Sequence, residues 1–230
     1  NIASINFSNL PSLYNLQIYI KMPFYKNISL PNHTNIYIWR IDEEISELKE
    51  NLFLNEISLN RLEKMKSLNH IKGFLAVRKL LNTIAYSDSD LFYDSFGKPF
   101  LKDGKHISIS HSHEFACIII SDNNVGIDIE LKSEKIIKNV ALLFNEDFIL
   151  NFKENKEDAI SLTTFGWGIK EAIFKLIPEN DVSFKENISI ERFHLNENSC
   201  LVNVSINKKI TSYSVQLDEI ENYVLAYVIQ

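Results

Sequence analysis

Two helical stripes, each followed by a run of strands, constrain this chain more than anything else in it. Phe74, Val77, Leu81 and Ile84 recur at the spacing of one helix face, and in the second half Ile169, Ala172, Ile173 and Leu176 do the same. After the first stripe, Ile107-Ser108-Ile109-Ser110 alternates and Phe115 to Ser121 is a continuous apolar run, so both read as strands. After the second, strands are expected at about 186–194, 199–206, 210–217 and 223–229. A helix-period segment does not lie flat as a strand, so each half calls for helices covering a sheet. The segment Phe74-Leu75-Ala76-Val77-Arg78-Lys79-Leu80-Leu81 occupies the same place in its half as Ile169 to Leu176 does in the other, and Glu114 to Ile119 echoes Tyr223 to Val228. The expectation is an α+β fold of two pseudo-symmetric lobes, each with helices packed on a small, mostly antiparallel sheet. Residues 1–122 would form the N-terminal lobe and 123–230 the C-terminal lobe, with the active site in the cleft between them. The polar turn Ser121 to Asn124 marks the seam. Further strands are expected at 14–20 and 35–41, with helices at 43–53, 58–66, 68–86, 134–143, 145–152 and 156–177, the last ended by Pro178. His111-Ser112-His113 reads as a polar turn.

The segment Val125-Gly126-Ile127-Asp128-Ile129-Glu130 reads as a strand with Val125, Ile127 and Ile129 on one face and Gly126, Asp128 and Glu130 on the other. Two acids beside a residue without a side chain leave room for a hard cation bound by oxygens. The bland alternative is a solvated sheet face. On the second helix Glu171 and Lys175 lie one turn apart, away from the apolar stripe. As a surface ion pair they would contribute roughly 0.3–0.5 kcal/mol. Trp167 and Phe174 also lean to that side, which implies that something covers it. Together these acids and the lysine suggest magnesium-assisted chemistry on a phosphate substrate.

Several classes are disfavoured. A net charge of −6 argues against a protein that coats nucleic acid, so an anionic ligand would need a local basic pocket, for which Arg61, Lys64, Lys66, Lys72, Arg78 and Lys79 are candidates. Cys117 and Cys200 sit in apolar stretches, read as buried thiols, and cannot build a disulfide framework or a zinc cluster. His111 and His113 form a His-x-His pair with no evident third ligand for zinc. Gly97-Lys98-Pro99 lacks the spacing of a phosphate-binding P-loop, and Ser112 lacks the glycines of a nucleophile elbow. No apolar run approaches the roughly 20 residues of a membrane span and no signal peptide is visible, so a reducing cytoplasm is expected.

The order of the pieces carries more than any one of them. Asp94-Ser95-Phe96-Gly97-Lys98-Pro99-Phe100, Ile107-Ser108-Ile109-Ser110-His111-Ser112, Val125-Gly126-Ile127-Asp128-Ile129-Glu130 and Trp167-Gly168-Ile169-Lys170-Glu171-Ala172-Ile173-Phe174-Lys175 together resemble the 4′-phosphopantetheinyl transferase superfamily. The closer match is its two-lobed type, which activates peptide synthetases and polyketide synthases. The resemblance covers roughly residues 57–176. It implies transfer of the phosphopantetheine arm of coenzyme A to a serine of an apo carrier protein of acyl, peptidyl or polyketide type, with release of adenosine 3′,5′-bisphosphate. It implies Mg²⁺ held by Asp128, Glu130 and Glu171, with Lys175 stabilising the diphosphate. By the same resemblance Lys98, Pro99, Ser110 and His111 contact coenzyme A, and Arg61 and Lys64 lie near its nucleotide end. Glu171 is the candidate base for the serine hydroxyl, and a monomer is expected. Two alternatives stay open: a non-catalytic relative that binds coenzyme A or a carrier, and a magnesium-dependent hydrolase of a nucleotide diphosphate. The chain departs from the family pattern at Gly168, where serine or threonine is usual, and at His113-Glu114.

Overall fold

The computed structural model describes residues 24–144, 156–178, 182–191 and 194–230. Its first sheet has six strands: β1 (Phe24–Leu30), β2 (Thr34–Arg40), β3 (Leu91–Tyr93), β4 (Pro99–Leu101), β5 (His106–Ser112) and β6 (Phe115–Ser121). They lie in the order β1-β2-β6-β5-β4-β3, every neighbour antiparallel. The second has five: β7 (Val125–Leu131), β8 (Ile188–Ile190), β9 (Ser199–Ile206), β10 (Lys209–Ile220) and β11 (Tyr223–Ile229), in the antiparallel order β7-β11-β10-β9-β8. Helices α1 (Ile45–Lys49), α2 (Glu56–Lys64) and α3 (Leu68–Thr83) fall between β2 and β3, while α4 (Val140–Leu143) and α5 (Lys156–Leu176) fall between β7 and β8. The α+β class read from the sequence is what the chain adopts. No helix among the described residues is long and apolar enough to cross a membrane.

Strand alternation sorts the apolar residues into three cores. Every residue of β6 is buried, and the two faces go to different places. Ala116, Ile118 and Ile120 pack with Phe74, Leu75, Val77, Leu80 and Leu81 of α3. Phe115, Cys117 and Ile119 join Ile36 and Ile38 of β2, Val125, Ile127 and Ile129 of β7, and Leu225 of β11. The third core sets Ile169, Ala172, Ile173 and Leu176 of α5 against Val202, Val215, Val224, Ala226 and Val228 of the second sheet. The inner faces of the two sheets therefore meet, with α3 and α5 on opposite outer sides. Both cysteines are free and buried, as expected.

Several boundaries differ from the sequence reading. Strand β1 was not anticipated. The helix expected at 43–53 shrinks to Ile45–Lys49, and Asn51 beyond it has φ of 55°. The helix expected at 68–86 stops at Thr83, two residues before Ala85 turns left-handed at φ 65°. The 134–143 helix starts as a 3₁₀ segment, Glu134–Asn139. Ser112 belongs to β5 rather than to a turn; the reversal comes at His113, with φ 46°. The strand expected at 14–20 and the helix at 145–152 fall outside the described residues.

Candidate functional site

Strand β7 sets the position of the two acids. Its apolar alternate residues are locked into the inner core, so Gly126, Asp128 and Glu130 face α5. A Cβ on Gly126 would lie 1.9 Å from the Ala172 carbonyl oxygen, so only glycine lets the helix lie this close to the strand. The alternative of a solvated sheet face is not what forms: α5 covers it, and Asp128 is only 2% exposed. Its Oδ1 accepts hydrogen bonds from Lys175 Nζ and Ser110 Oγ, each at 2.7 Å. Its Oδ2 is buried without a hydrogen-bond partner. Glu130 is held at both oxygens, Oε1 by Trp167 Nε1 at 3.2 Å and Oε2 by Ser112 Oγ at 3.0 Å. Gly168 lies in mid-helix, where an added Cβ would meet the Ala226 methyl at 3.5 Å and Asp128 Oδ2 at 3.7 Å, both ordinary contact distances.

The charges respond to this crowding. Burial, reinforced by the Asp128 charge, pushes the Glu130 carboxyl up to about 7, although the Ser112 and Trp167 hydrogen bonds pull the other way. Burial raises Glu171 as well; Lys175 opposes that shift and Asp128 adds to it. For Lys175 burial alone would lower the pKa, but the Asp128 charge and hydrogen bond and the Glu171 charge outweigh it. Its ammonium therefore stays charged at neutral pH. Among the described residues, no group of three or more His, Cys, Asp or Glu side chains is placed to hold a metal ion. Asp128 is turned to a lysine, and Glu130 to an indole and a serine.

Strand β5 brings the other wall. β5 and β7 run side by side in the same direction, joined through side chains. Ser108 Oγ accepts the Ile127 N–H at 3.1 Å, and Ser112 Oγ accepts the Leu131 N–H at 3.3 Å. The alternating serines of this segment thus bridge the seam between the sheets. His111 is turned toward α3, where a Cβ on Gly73 would lie 2.5 Å from its ring. Burial, then the neighbouring His70, Lys175 and Arg78, lower its pKa to about 4, so the imidazole is neutral at pH 7. Lys98 Nζ donates to the Leu176 carbonyl at the end of α5, at 2.9 Å. The Gly-Lys-Pro turn is therefore tied to the helix that carries Glu171 and Lys175.

A cleft of about 570 Å³ runs between these elements. Asp128, Glu130, Glu171, Lys175, Lys98, Pro99, Ser110, His111 and Arg61 all line it, so nearly all of the residues singled out from the sequence share one space. Lys64 does not line it. Of the other basic candidates, Arg78 also lines the cleft, with its guanidinium 3.5 Å from the Phe74 ring centre and in a buried ion pair with Asp88 at 3.1 Å. Arg61 stacks 4.1 Å from the Tyr93 ring centre. Lys72 pairs with Glu44, and Lys79 bonds the Glu50 carbonyl. Sequence reasoning missed Ser108, Ser112, Asp88 and Tyr93. The alternation Ile-Ser-Ile-Ser-His-Ser was the available signal for the first two, since serine at every second strand position is unusual for a wholly apolar sheet face. The aromatic side of α5 is covered, as the sequence implied: Phe184 packs on Trp167 and on Phe174, with ring centres 5.5 and 5.3 Å apart.

No family model matches the chain. Among curated proteins it is similar to the 4′-phosphopantetheinyl transferase gsp of Aneurinibacillus migulanus, at 27% identity over 155 residues. That match covers 65% of this chain and 63% of the relative, so it spans less than two thirds of either. The resemblance carried by the four motifs thus has a counterpart in a sequence curated as a phosphopantetheinyl transferase.

Proposed function

We propose that this protein transfers the 4′-phosphopantetheine arm of coenzyme A to a serine of an apo carrier protein and releases adenosine 3′,5′-bisphosphate. The observation that carries the reading is the convergence of four sequence-distant motifs on one cleft. The likeness to the gsp transferase adds to it. In this reading the cleft separates an N-terminal lobe, residues 1–122, from a C-terminal lobe, 123–230, and one chain supplies both walls, so the unit is a monomer. We place it in the cytoplasm together with coenzyme A.

The incoming serine hydroxyl attacks the phosphorus next to the pantetheine. Its proton passes to a base, and the bond to the leaving bisphosphate breaks. Glu171 is the base in this proposal. Burial raises its affinity for a proton above that of an ordinary glutamate, as proton abstraction near neutral pH requires. Lys175, kept charged by its acidic neighbours, stabilises the negative oxygens of the diphosphate in a site partly shielded from water. His111, neutral at pH 7, meets phosphate as a hydrogen-bond donor, and Ser110, Lys98, Pro99 and Arg61 bound the coenzyme. The buried, unpartnered Asp128 Oδ2 and the raised proton affinity of Glu130 and Glu171 fit an oxygen-ligated divalent cation. Asp128, Glu130 and Glu171 would hold it, and bound Mg²⁺ would neutralise charge on the pyrophosphate.

The test is to mix the protein with coenzyme A, Mg²⁺ and a panel of apo carriers, and to weigh each carrier by mass spectrometry. A gain of the phosphopantetheine mass is expected, with the rate falling at least about 100-fold in Glu171→Gln. Coenzyme A binding with no mass gain on any carrier would replace transfer with a non-catalytic role. Cleaved coenzyme A beside unmodified carrier would replace it with hydrolysis.

A further inference from the structure

Glu130 is steered from outside its own strand. Ser112, which grips Oε2, is fixed by its place in β5 and by the Leu131 N–H. The partner of Oε1 is different, because an indole on a helix face can swing about its side-chain torsions unless something blocks it. Trp167 and Phe174 are two turns apart on α5 and share one side of the helix. Phe184 lies across that side and touches both rings. Phe184 belongs to the connection between α5 and β8, and this connection is fastened to the helix. Lys170, 2% exposed, donates its ammonium to the carbonyls of Phe184 and of Ile188. A chain of contacts therefore leads from Lys170 to the Phe184 backbone, from the Phe184 ring to the Trp167 indole, and from the indole N–H to Glu130.

We infer that Phe184 is a positioning residue for the acidic site: it wedges the Trp167 indole so that its N–H holds the Glu130 carboxylate toward the cleft. The link to catalysis rests on the transferase reading proposed above; the link to the indole does not. Among the described residues Phe184 has no hydrogen bond or ring contact with the cleft-lining acids; it reaches Glu130 through Trp167, and its second ring neighbour, Phe174, lines the cleft. Outer-shell partners of this kind typically shift activity about 10- to 100-fold when removed.

The two tryptophans of the chain give two indole N–H signals in a ¹H–¹⁵N spectrum, and Trp39→Phe assigns them. In Phe184→Ala the Trp167 signal should move upfield, toward its position in Glu130→Ala. Phe184→Leu, which keeps apolar volume in the core, should move it the same way by less, and Phe184→Tyr should leave it in place. Turnover on the carrier should drop about tenfold in Phe184→Ala, with the coenzyme A KM within about twofold of wild type, and recover in Phe184→Tyr. A Trp167 signal unmoved in both the alanine and leucine variants overturns the inference. A moved signal with wild-type turnover overturns its link to catalysis. Absent transfer by the wild-type chain counts against the transferase reading alone, and the indole shift still supports the wedge.

Discussion

Glu130 gains a proton more readily in the folded chain than out of it. Its pKa is pushed up to about 7, first by burial and then by the Asp128 charge. Between the ordinary glutamate value and about 7 the folded state binds more protons than the unfolded one, so stability is lost as pH rises through that window. Glu130→Gln removes the charge and keeps an acceptor for the Trp167 N–H. Without divalent ions the variant should be more stable than wild type at pH 8, by about 1–2 kcal/mol after allowance for the partial exposure of the group, and indistinguishable from it below pH 4.5. Urea unfolding at the two pH values measures this; an equal gap at both would mean that the carboxylate is not under repulsion. Mg²⁺ should close the gap at pH 8 by stabilising wild type alone. At this scale much was legible in the sequence. Asp128, Glu130, Glu171 and Lys175 carry chemistry in their residue type, and their spacing placed them on single faces. The Trp167 to Glu130 and Ser110 to Asp128 contacts were not legible, because 37 and 18 residues separate partners whose meeting depends on how strands and helix stack.

Helix α5 and strand β7 are in contact because of one missing methyl. The ideal Cβ at position 126 falls 1.9 Å from the Ala172 oxygen and 3.2 Å from the Leu176 nitrogen, both backbone atoms that cannot rotate aside. Relief would require lifting α5 off the strand or breaking the pairing of Gly126 with Val228 on β11. Gly126→Ala should therefore destabilise by at least about 3 kcal/mol. Gly168→Ala is the contrast. The nearest atom to its Cβ is 3.5 Å away, an ordinary contact, so it should stabilise α5 by up to about 1 kcal/mol. Chemical denaturation of the two variants separates steric necessity from helix propensity, and equal effects would contradict the geometry. Element type was readable in α3 and α5 from the helical spacing of their apolar residues, in β9 and β10 from alternating burial, and in β11, buried on both faces, from its continuous apolar run. β1 was missed because Lys26, Asn27 and Ser29 give an edge strand too few inward apolar residues to stand out. Left-handed residues follow the early ends of both helices: after α1 it is Asn51, a type that tolerates this conformation and was a readable marker, whereas after α3 it is Ala85, for which the sequence carries none.

The inner core belongs to neither sheet alone. Ile36, Ile38, Phe115, Cys117 and Ile119 of the first sheet share it with Val125, Ile127, Ile129 and Leu225 of the second, and Ser108, Ser110 and Ser112 stitch β5 to β7 along the same seam. The echo between the halves foreshadowed two sheets, each with its helix, but periodicity within a strand cannot tell a face that meets another sheet from one that meets a helix. The shared core has a thermodynamic consequence: the halves should unfold together, in one cooperative step. Ile127 is fully buried in it, and Ile127→Ala should cost about 2–5 kcal/mol. The two tryptophans report on the two sides, Trp39 from β2 and Trp167 from α5. With each left in turn as the sole emitter by a tryptophan-to-phenylalanine change of the other, the fluorescence midpoint in urea should match the circular-dichroism midpoint within each variant, and Ile127→Ala should lower both tryptophan midpoints by the same amount. If only the Trp167 midpoint fell, the second sheet and α5 would be an autonomous unit leaning on the first, and a cleft built from both walls would depend on a docking equilibrium instead of on a single folded core.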